Sequence, residues 1–246
     1  MREAGAAGGA RREKEEIRAL VAAIDGWLPD FEGELLYDLA RNATGRGVIV
    51  EIGSWKGKST VWLARGAKAG RRRTVNAIDP HTGSPEHRTA GPVATFAEFT
   101  HNIARAGVPD IVVPILKPSE EAAEVIAEPV ELIFIDGAHE YEHVRADFQA
   151  WFPKVIEGGV MAFHDTLGWE GPRRLVAESV YRSQSFRRVH LVGSITFGEK
   201  TAAATLGDRL RNRYVLALKH VFETGRAIRA PAGVRLLGRK LVERLQ

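Results

Sequence analysis

Four side chains in one stretch of the chain can do chemistry together. The segment "FIDGAHEYEHVRADFQAWFPKVIEGGVMAFHD" (134–165) carries Asp136, His139, His164 and Asp165. Asp136 closes one apolar, β-rich run, "ELIFID" (131–136), and Asp165 closes the next, "GVMAFHD" (159–165). If the two runs pair as neighbouring strands, their ends lie about 5 Å apart. Carboxylates that close repel unless a cation lies between them. A divalent metal with oxygen ligands, such as Mg²⁺, is the natural occupant. Asp136 and Asp165 are therefore candidate metal ligands, and His164 adds a nitrogen ligand or orients the site. His139 suits a different task. An aliphatic hydroxyl is a poor nucleophile until its proton is removed, and an imidazole near neutrality is a suitable base. The alternative for His139 is a turn or cap residue at the start of a helix. His143 lies four residues further on, on the same face of a helix. A zinc pair built on the two would need a third soft ligand nearby, so His143 is read as solvated.

A second stretch, "EIGSWKGKST" (51–60), has glycines on a strand-to-helix turn. It is not a phosphate-binding loop, because three residues rather than four separate Gly53 from Gly57-Lys58-Ser59. The G-x-G-x-x-G dinucleotide pattern fails too, with Trp55 and Lys58 where glycines are required. What remains is acid-x-Gly-x-x-x-Gly, formed by Glu51, Gly53 and Gly57 at the end of a first strand. A glycine turn lets a ligand approach the backbone closely, and a helix N-terminus favours a carboxylate.

This turn resembles motif I of class I methyltransferases that use S-adenosylmethionine. The resemblance implies that the turn, with Glu51, Gly53, Ser54, Lys58 and Ser59, holds the cofactor's methionine end. It implies that a second acid holds the ribose. Asp79 closes "TVNAID" 26 residues after Gly53, near the expected offset of roughly 20. Ser119 falls where relatives contact adenine or ribose; its alternative is a helix N-cap with Glu120 and Glu121 in the first turn. Residues 134–165 resemble a subfamily of metal-dependent small-molecule O-methyltransferases, some of which methylate sugar hydroxyls. The likeness spans roughly residues 33–200, through Asp136, Gly137, His139, Gly158, Gly159, His164 and Asp165. It implies metal ligands at Asp136, His164 and Asp165, a further cofactor contact from Asp136, and a catalytic base at His139. A carboxylate is common in relatives at the position of His164.

The elements that must position these residues are legible as alternating runs. Short β-rich runs at 48–53, 74–79, 111–116, 131–136 and 159–165 are separated by helical stretches. Continuous apolar runs suggest strands buried on both faces, and the alternation means βαβ units. Between Asp136 and Asp165 the pattern predicts an amphipathic helix with Tyr141, Val144, Phe148, Trp151, Phe152 and Val155 toward the sheet. "FRRVHLVGSITFGEK" (186–200) reads as a closing hairpin turning near Gly193-Ser194. The expected fold is α/β: a Rossmann-like, doubly wound seven-stranded sheet of the class I methyltransferase type, with helical additions at both ends. Residues 1–11 are expected to be disordered, 12–47 to form N-terminal helices (about Arg12 to Trp27, then Gly33 to Arg41), 48–200 the methyltransferase core, and 201–246 a basic helical segment broken at "RAPAG" (229–233). The polar loop 79–92 offers His81, His87 and Arg88 as candidate substrate contacts.

Composition narrows the partners. The 246 residues carry a net charge of +4. Residues 207–246 hold ten Arg/Lys and three Asp/Glu, a net of +7, leaving −3 for the rest. A basic tail on a slightly acidic core argues against a nucleic-acid partner. The tail is expected to pack on the domain or on a second copy in a homo-oligomer; lying on a membrane surface is the lesser alternative. Cys is absent, and "MREAGAAGGARREKEE" has no apolar core of a secretory signal, so a cytoplasmic protein is expected. The reading is an S-adenosylmethionine-dependent, Mg²⁺-assisted O-methyltransferase of a small hydroxylated molecule, a sugar or glycoside first and a phenol or catechol second. The rivals are a phosphotransferase and a non-catalytic, membrane-associated binding protein.

Overall fold

The computed structural model describes residues 2–71, 73–84 and 87–227. Its strands are β1 (Val48–Ile52), β2 (Val75–Ile78), β3 (Val112–Ile115), β4 (Val130–Ile135), β5 (Val155–Phe163), β6 (Phe186–Val192) and β7 (Ile195–Lys200). They form one seven-stranded sheet in the order β3-β2-β1-β4-β5-β7-β6. β1 pairs parallel with β2, and β2 with β3. β7 runs antiparallel to both β5 and β6, and Gly193 (φ 58°) lies in the tight turn that joins β6 to β7. The mixed sheet with flanking helices is the expected α/β class. The chain divides into two compact units, Met1–Leu132 and Ile133–Gln246.

In the first unit, α1 (Arg2–Val21) starts and stops earlier than expected. The helix begins at Arg2, within the residues 1–11 expected to be disordered. The expected extension to Trp27 is not seen: the helix ends at Val21, five residues before Gly26. Next come α2 (Asp30–Asn42), α3 (Lys58–Ala69), α4 (Phe96–Arg105) and α5 (Ser119–Val125). β1 and β2 are buried almost throughout. β3 departs from the both-faces-buried expectation: it is an edge strand, with Val113 and Leu116 exposed. Pro114 lacks a ladder donor and is tolerated at an edge. Glu131, at the start of β4, is buried and anchors the turn before β1. It accepts hydrogen bonds from the Thr44 amide (2.6 Å), the Thr44 hydroxyl (2.6 Å) and the Gly45 and Arg46 amides (both 2.9 Å). Burial opposes its charge, but these bonds outweigh it and hold the carboxyl below its ordinary value.

In the second unit, α6 (Tyr141–Trp151) follows β4, and α7 (Glu170–Leu175) continues into one π-helical turn over Val176–Tyr181. α6 buries Val144, Asp147 and Trp151. Tyr141, expected to face the sheet, instead donates its hydroxyl to Glu178 at 2.7 Å. α8 (Leu206–Ala227) packs on β6 through Asn212. Its amide donates to Phe186 O at 2.9 Å and its Oδ1 accepts from Val189 N at 3.3 Å. Leu206, Leu210, Tyr214 and Val221 of α8 are exposed. The expected break at 229–233 lies outside the described residues. Among the described residues no helix is long and apolar enough to cross a membrane.

Candidate functional site

The first constellation belongs to the first unit and is built by the turn from β1 into α3. Gly53 has φ 84°, a left-handed conformation that glycine adopts without a Cβ penalty. Its amide continues the ladder, donating to Ile78 O at 2.9 Å. Trp55 also takes a positive φ, 46°, which is uncommon for a bulky residue. Asp79, just past β2, is what holds that turn. Its Oδ2 accepts from the Trp55 amide at 2.8 Å and its Oδ1 from the His81 amide at 2.6 Å. The carboxylate is thereby fixed, with lone pairs left for further donors. Glu51 is fully buried and accepts from the Thr60 hydroxyl. Ser54 is buried, and its hydroxyl has no hydrogen-bond partner among the described residues. A buried, unmatched hydroxyl in a glycine turn fits a polar ligand group docking there. Ser59 is buried in the first turn of α3, while the Lys58 ammonium donates to Gly26 O at 3.1 Å. Ser119 is the first residue of α5, not its N-cap, which is Pro118.

His81, offered above as a substrate contact, is buried. Its Nδ1 lies 2.8 Å from the Thr95 hydroxyl, and its ring packs against Phe96 and Phe99 with centroids 5.2 and 5.1 Å away. Burial pulls its pKa below the usual imidazole value, although the Asp79 charge opposes this. Arg88 is exposed, and the His87 side chain lies outside what the structure describes.

The second constellation belongs to the second unit, where β4 and β5 end. The His164 amide donates to Ile135 O at 3.0 Å, which brings Asp136 and Asp165 together as the strand-end argument requires. His164 is buried and serves both carboxylates: its Nδ1 lies 3.0 Å from Asp136 Oδ1 and 3.3 Å from Asp165 Oδ2. His139 precedes α6 rather than riding on it, so it shares no helical face with His143, which is exposed. His139 Nε2 is 3.1 Å from Asp165 Oδ2. One ligand-capable atom from each of Asp136, His139 and Asp165 lies within 4.8 Å of the others. The histidine in that trio is His139, whereas the sequence pointed to His164.

The two acids are driven apart electrostatically. Burial raises Asp136, and His164 only partly offsets it. Burial also acts to raise Asp165, but bonds from His139 and His164 outweigh it and pull the carboxyl well below the usual range. Asp165 sits at φ 57°, strained for a residue with a Cβ. The site also contains a residue the sequence did not flag. The Trp169 indole stacks on the His139 imidazole, with centroids 4.1 Å apart and planes within 9°. Trp169 belongs to no motif and no periodic pattern, so the only signal available was its closeness to Asp165 in the chain.

A glycine turn with a strand-end acid, on a seven-stranded sheet of this order, is the arrangement of the class I methyltransferase fold. Residues 50–166 match the family described as a methyltransferase domain. Catechol O-methyltransferase of Mycobacterium tuberculosis is 28% identical over 188 residues, covering 76% of this chain and 78% of that protein. An uncharacterized protein, y4gI, of Sinorhizobium fredii is 29% identical over 178 residues, covering 66% of this chain; this chain spans only 19% of its length. The O-methyltransferase TomG of Streptomyces achromogenes, solved in complex with S-adenosylmethionine, shares the fold. Its TM-score is 0.55, with 20% identity over 78% of this chain and 90% of that one. The chain has the class I methyltransferase fold, and its residues 50–166 are similar to the methyltransferase domain.

Proposed function

We propose that this methyltransferase transfers a methyl group from S-adenosylmethionine to a hydroxyl of a small molecule, with Mg²⁺ or another divalent cation assisting. The observation that carries the reading is the packing of two strand-end carboxylates with the His139 imidazole, all within 4.8 Å. Asp136 and Asp165 offer oxygen donors of the kind a hard cation takes. In this reading His164 orients the two acids rather than ligating, since its Nδ1 is already engaged by both.

The cofactor, when bound, supplies a methyl group on a sulfonium, and the cation supplies positive charge that favours the ionised hydroxyl. Glu51, Gly53, Ser54, Lys58 and Ser59 would hold the methionine end of the cofactor, Asp79 would take the ribose hydroxyls, and Ser119 would complete that side of the site. Asp165, held ionised, can only accept a hydrogen bond. His139 Nε2 therefore carries the proton facing it, and Nδ1 keeps its lone pair. Nδ1 is the atom that takes the acceptor's proton as the oxygen–carbon bond forms.

A sugar or glycoside is the leading acceptor. The second reading is a catechol, whose two adjacent oxygens suit the same cation, and a relative bears that name. We further read the enzyme as a cytoplasmic homo-oligomer without a nucleic-acid partner, its basic tail packing on the protein with membrane contact the lesser alternative. The test is mass spectrometry after incubation with S-adenosylmethionine and a panel of sugars and catechols, with and without EDTA. A product heavier by one methylene, lost with EDTA, supports the reading. A product formed equally with EDTA removes the cation from it.

A further inference from the structure

We infer that Trp169 is a positioning residue that fixes the imidazole of His139; this rests on the reading of His139 as the base. The segment that begins at Asp165 grips His139 at three points. Asp165 Oδ2 meets Nε2 at 3.1 Å. Trp169 covers one ring face, nearly parallel at 4.1 Å. Gly171 abuts the backbone: a Cβ there would lie 2.1 Å from His139 O and 2.7 Å from Tyr141 N. Only a residue without a side chain allows α7 to start so close to that loop.

Each contact removes a different freedom. The hydrogen bond fixes which nitrogen faces Asp165 but leaves the ring able to rock about that bond. A flat aromatic surface at stacking distance stops the rocking. The Gly171 contact fixes the backbone from which the ring hangs. Trp169 is itself tied to Asp165, its amide donating to Asp165 O at 3.2 Å, with the Gly168 amide on the same oxygen at 3.3 Å. The backbone that carries the indole is therefore tied to the backbone that carries the carboxylate. Trp169 is 44% exposed, and an indole kept that far in water contributes little to core packing, so its stack on His139 is the feature to explain. A base must be aimed to within a fraction of an ångström, and a 1 Å error costs about 10²-fold in rate.

The test compares Trp169→Phe, Trp169→Leu and His139→Ala with the wild type. Turnover is measured on the acceptor that gains a methyl group in the panel above, and S-adenosylhomocysteine affinity and melting temperature on the same preparations. Trp169→Leu should lower kcat by about 10–100-fold with cofactor affinity and melting temperature unchanged. Trp169→Phe, which keeps a flat face, should restore most of the loss. Two readouts need no acceptor. The ¹⁵N imidazole signals of His139 should show one fixed Nε2–H tautomer in the wild type and an averaged state in Trp169→Leu. Tryptophan emission should rise in His139→Ala, because a stacked imidazole quenches an indole; this holds even if a Trp169 variant fails to fold. Wild-type turnover in Trp169→Leu beside a dead His139→Ala would overturn the role of Trp169 alone. Wild-type turnover in His139→Ala would overturn the base assignment instead. Equal loss in the Phe and Leu variants, or unchanged emission in His139→Ala, would overturn the stacking argument.

Discussion

Asp165 Oδ2 stands 3.1 Å from His139 Nε2 and 3.3 Å from His164 Nδ1, so one carboxylate oxygen is shared by two imidazoles. The residue that offers this oxygen also sits at a left-handed φ of 57°. Strain of this kind persists where the surroundings over-determine a residue, and it clusters at functional sites.

That placement makes Asp165 the most sensitive position for cation-dependent turnover. Asp165→Ala should lose far more activity than cofactor affinity, since its predicted partners are the cation and His139. EDTA should mimic the substitution in the wild type and Mg²⁺ should reverse EDTA. Calorimetric titration with S-adenosylhomocysteine separates the two quantities. A variant that loses cofactor affinity in step with activity would shift Asp165 to the cofactor site.

At the other constellation, Gly53→Arg should abolish S-adenosylhomocysteine binding. The backbone at φ 84° is one that residues with a side chain rarely adopt, and the strain itself costs roughly 1–2 kcal/mol of stability. Asp79→Ala should weaken binding by about 1–3 kcal/mol. It also frees the Trp55 and His81 amides that Asp79 now holds. Unchanged affinity in Gly53→Arg would remove this turn from the account.

His81 predicts a pH dependence of stability. Burial lowers its folded-state pKa, so the unfolded chain takes up the proton first as pH falls. Its contribution is complete above the ordinary imidazole range and is lost as pH drops through it. The groups facing the ring are Thr95, Phe96, Phe99, Asp79 and the Trp55 backbone, the last two opposing the effect of burial. The melting temperature should fall between about pH 7.5 and about pH 5.5, and His81→Phe should flatten that slope. Parallel curves for the two proteins would show that other groups set the acid limb.

The site's acids were legible because each ends a short apolar run, and a strand end is a local signal. The same holds for Gly53 and Asp79. What was not legible depends on contacts between distant segments. Trp169 matters through a ring 30 positions earlier in the chain, and nothing in "TLGWEGP" announces it. His164 could be a ligand or a bridge from its place in "FHD"; its geometry, with Nδ1 between two carboxylates, favours the bridge. His81 looked like a loop residue free to meet a substrate, yet it is buried against Phe96 and Phe99. The edge position of β3 follows from strand order, which apolar runs do not encode.

The central claim is that Nδ1 of His139 takes the acceptor's proton, and the single-turnover rate of His139→Ala tests it most directly. With cofactor and cation saturating, the rate should drop by about 10²–10⁴-fold, the usual weight of a positioned base. Melting temperature and S-adenosylhomocysteine affinity on the same preparation should stay at wild-type values. A His139→Ala enzyme that methylates its acceptor at the wild-type rate would contradict the account.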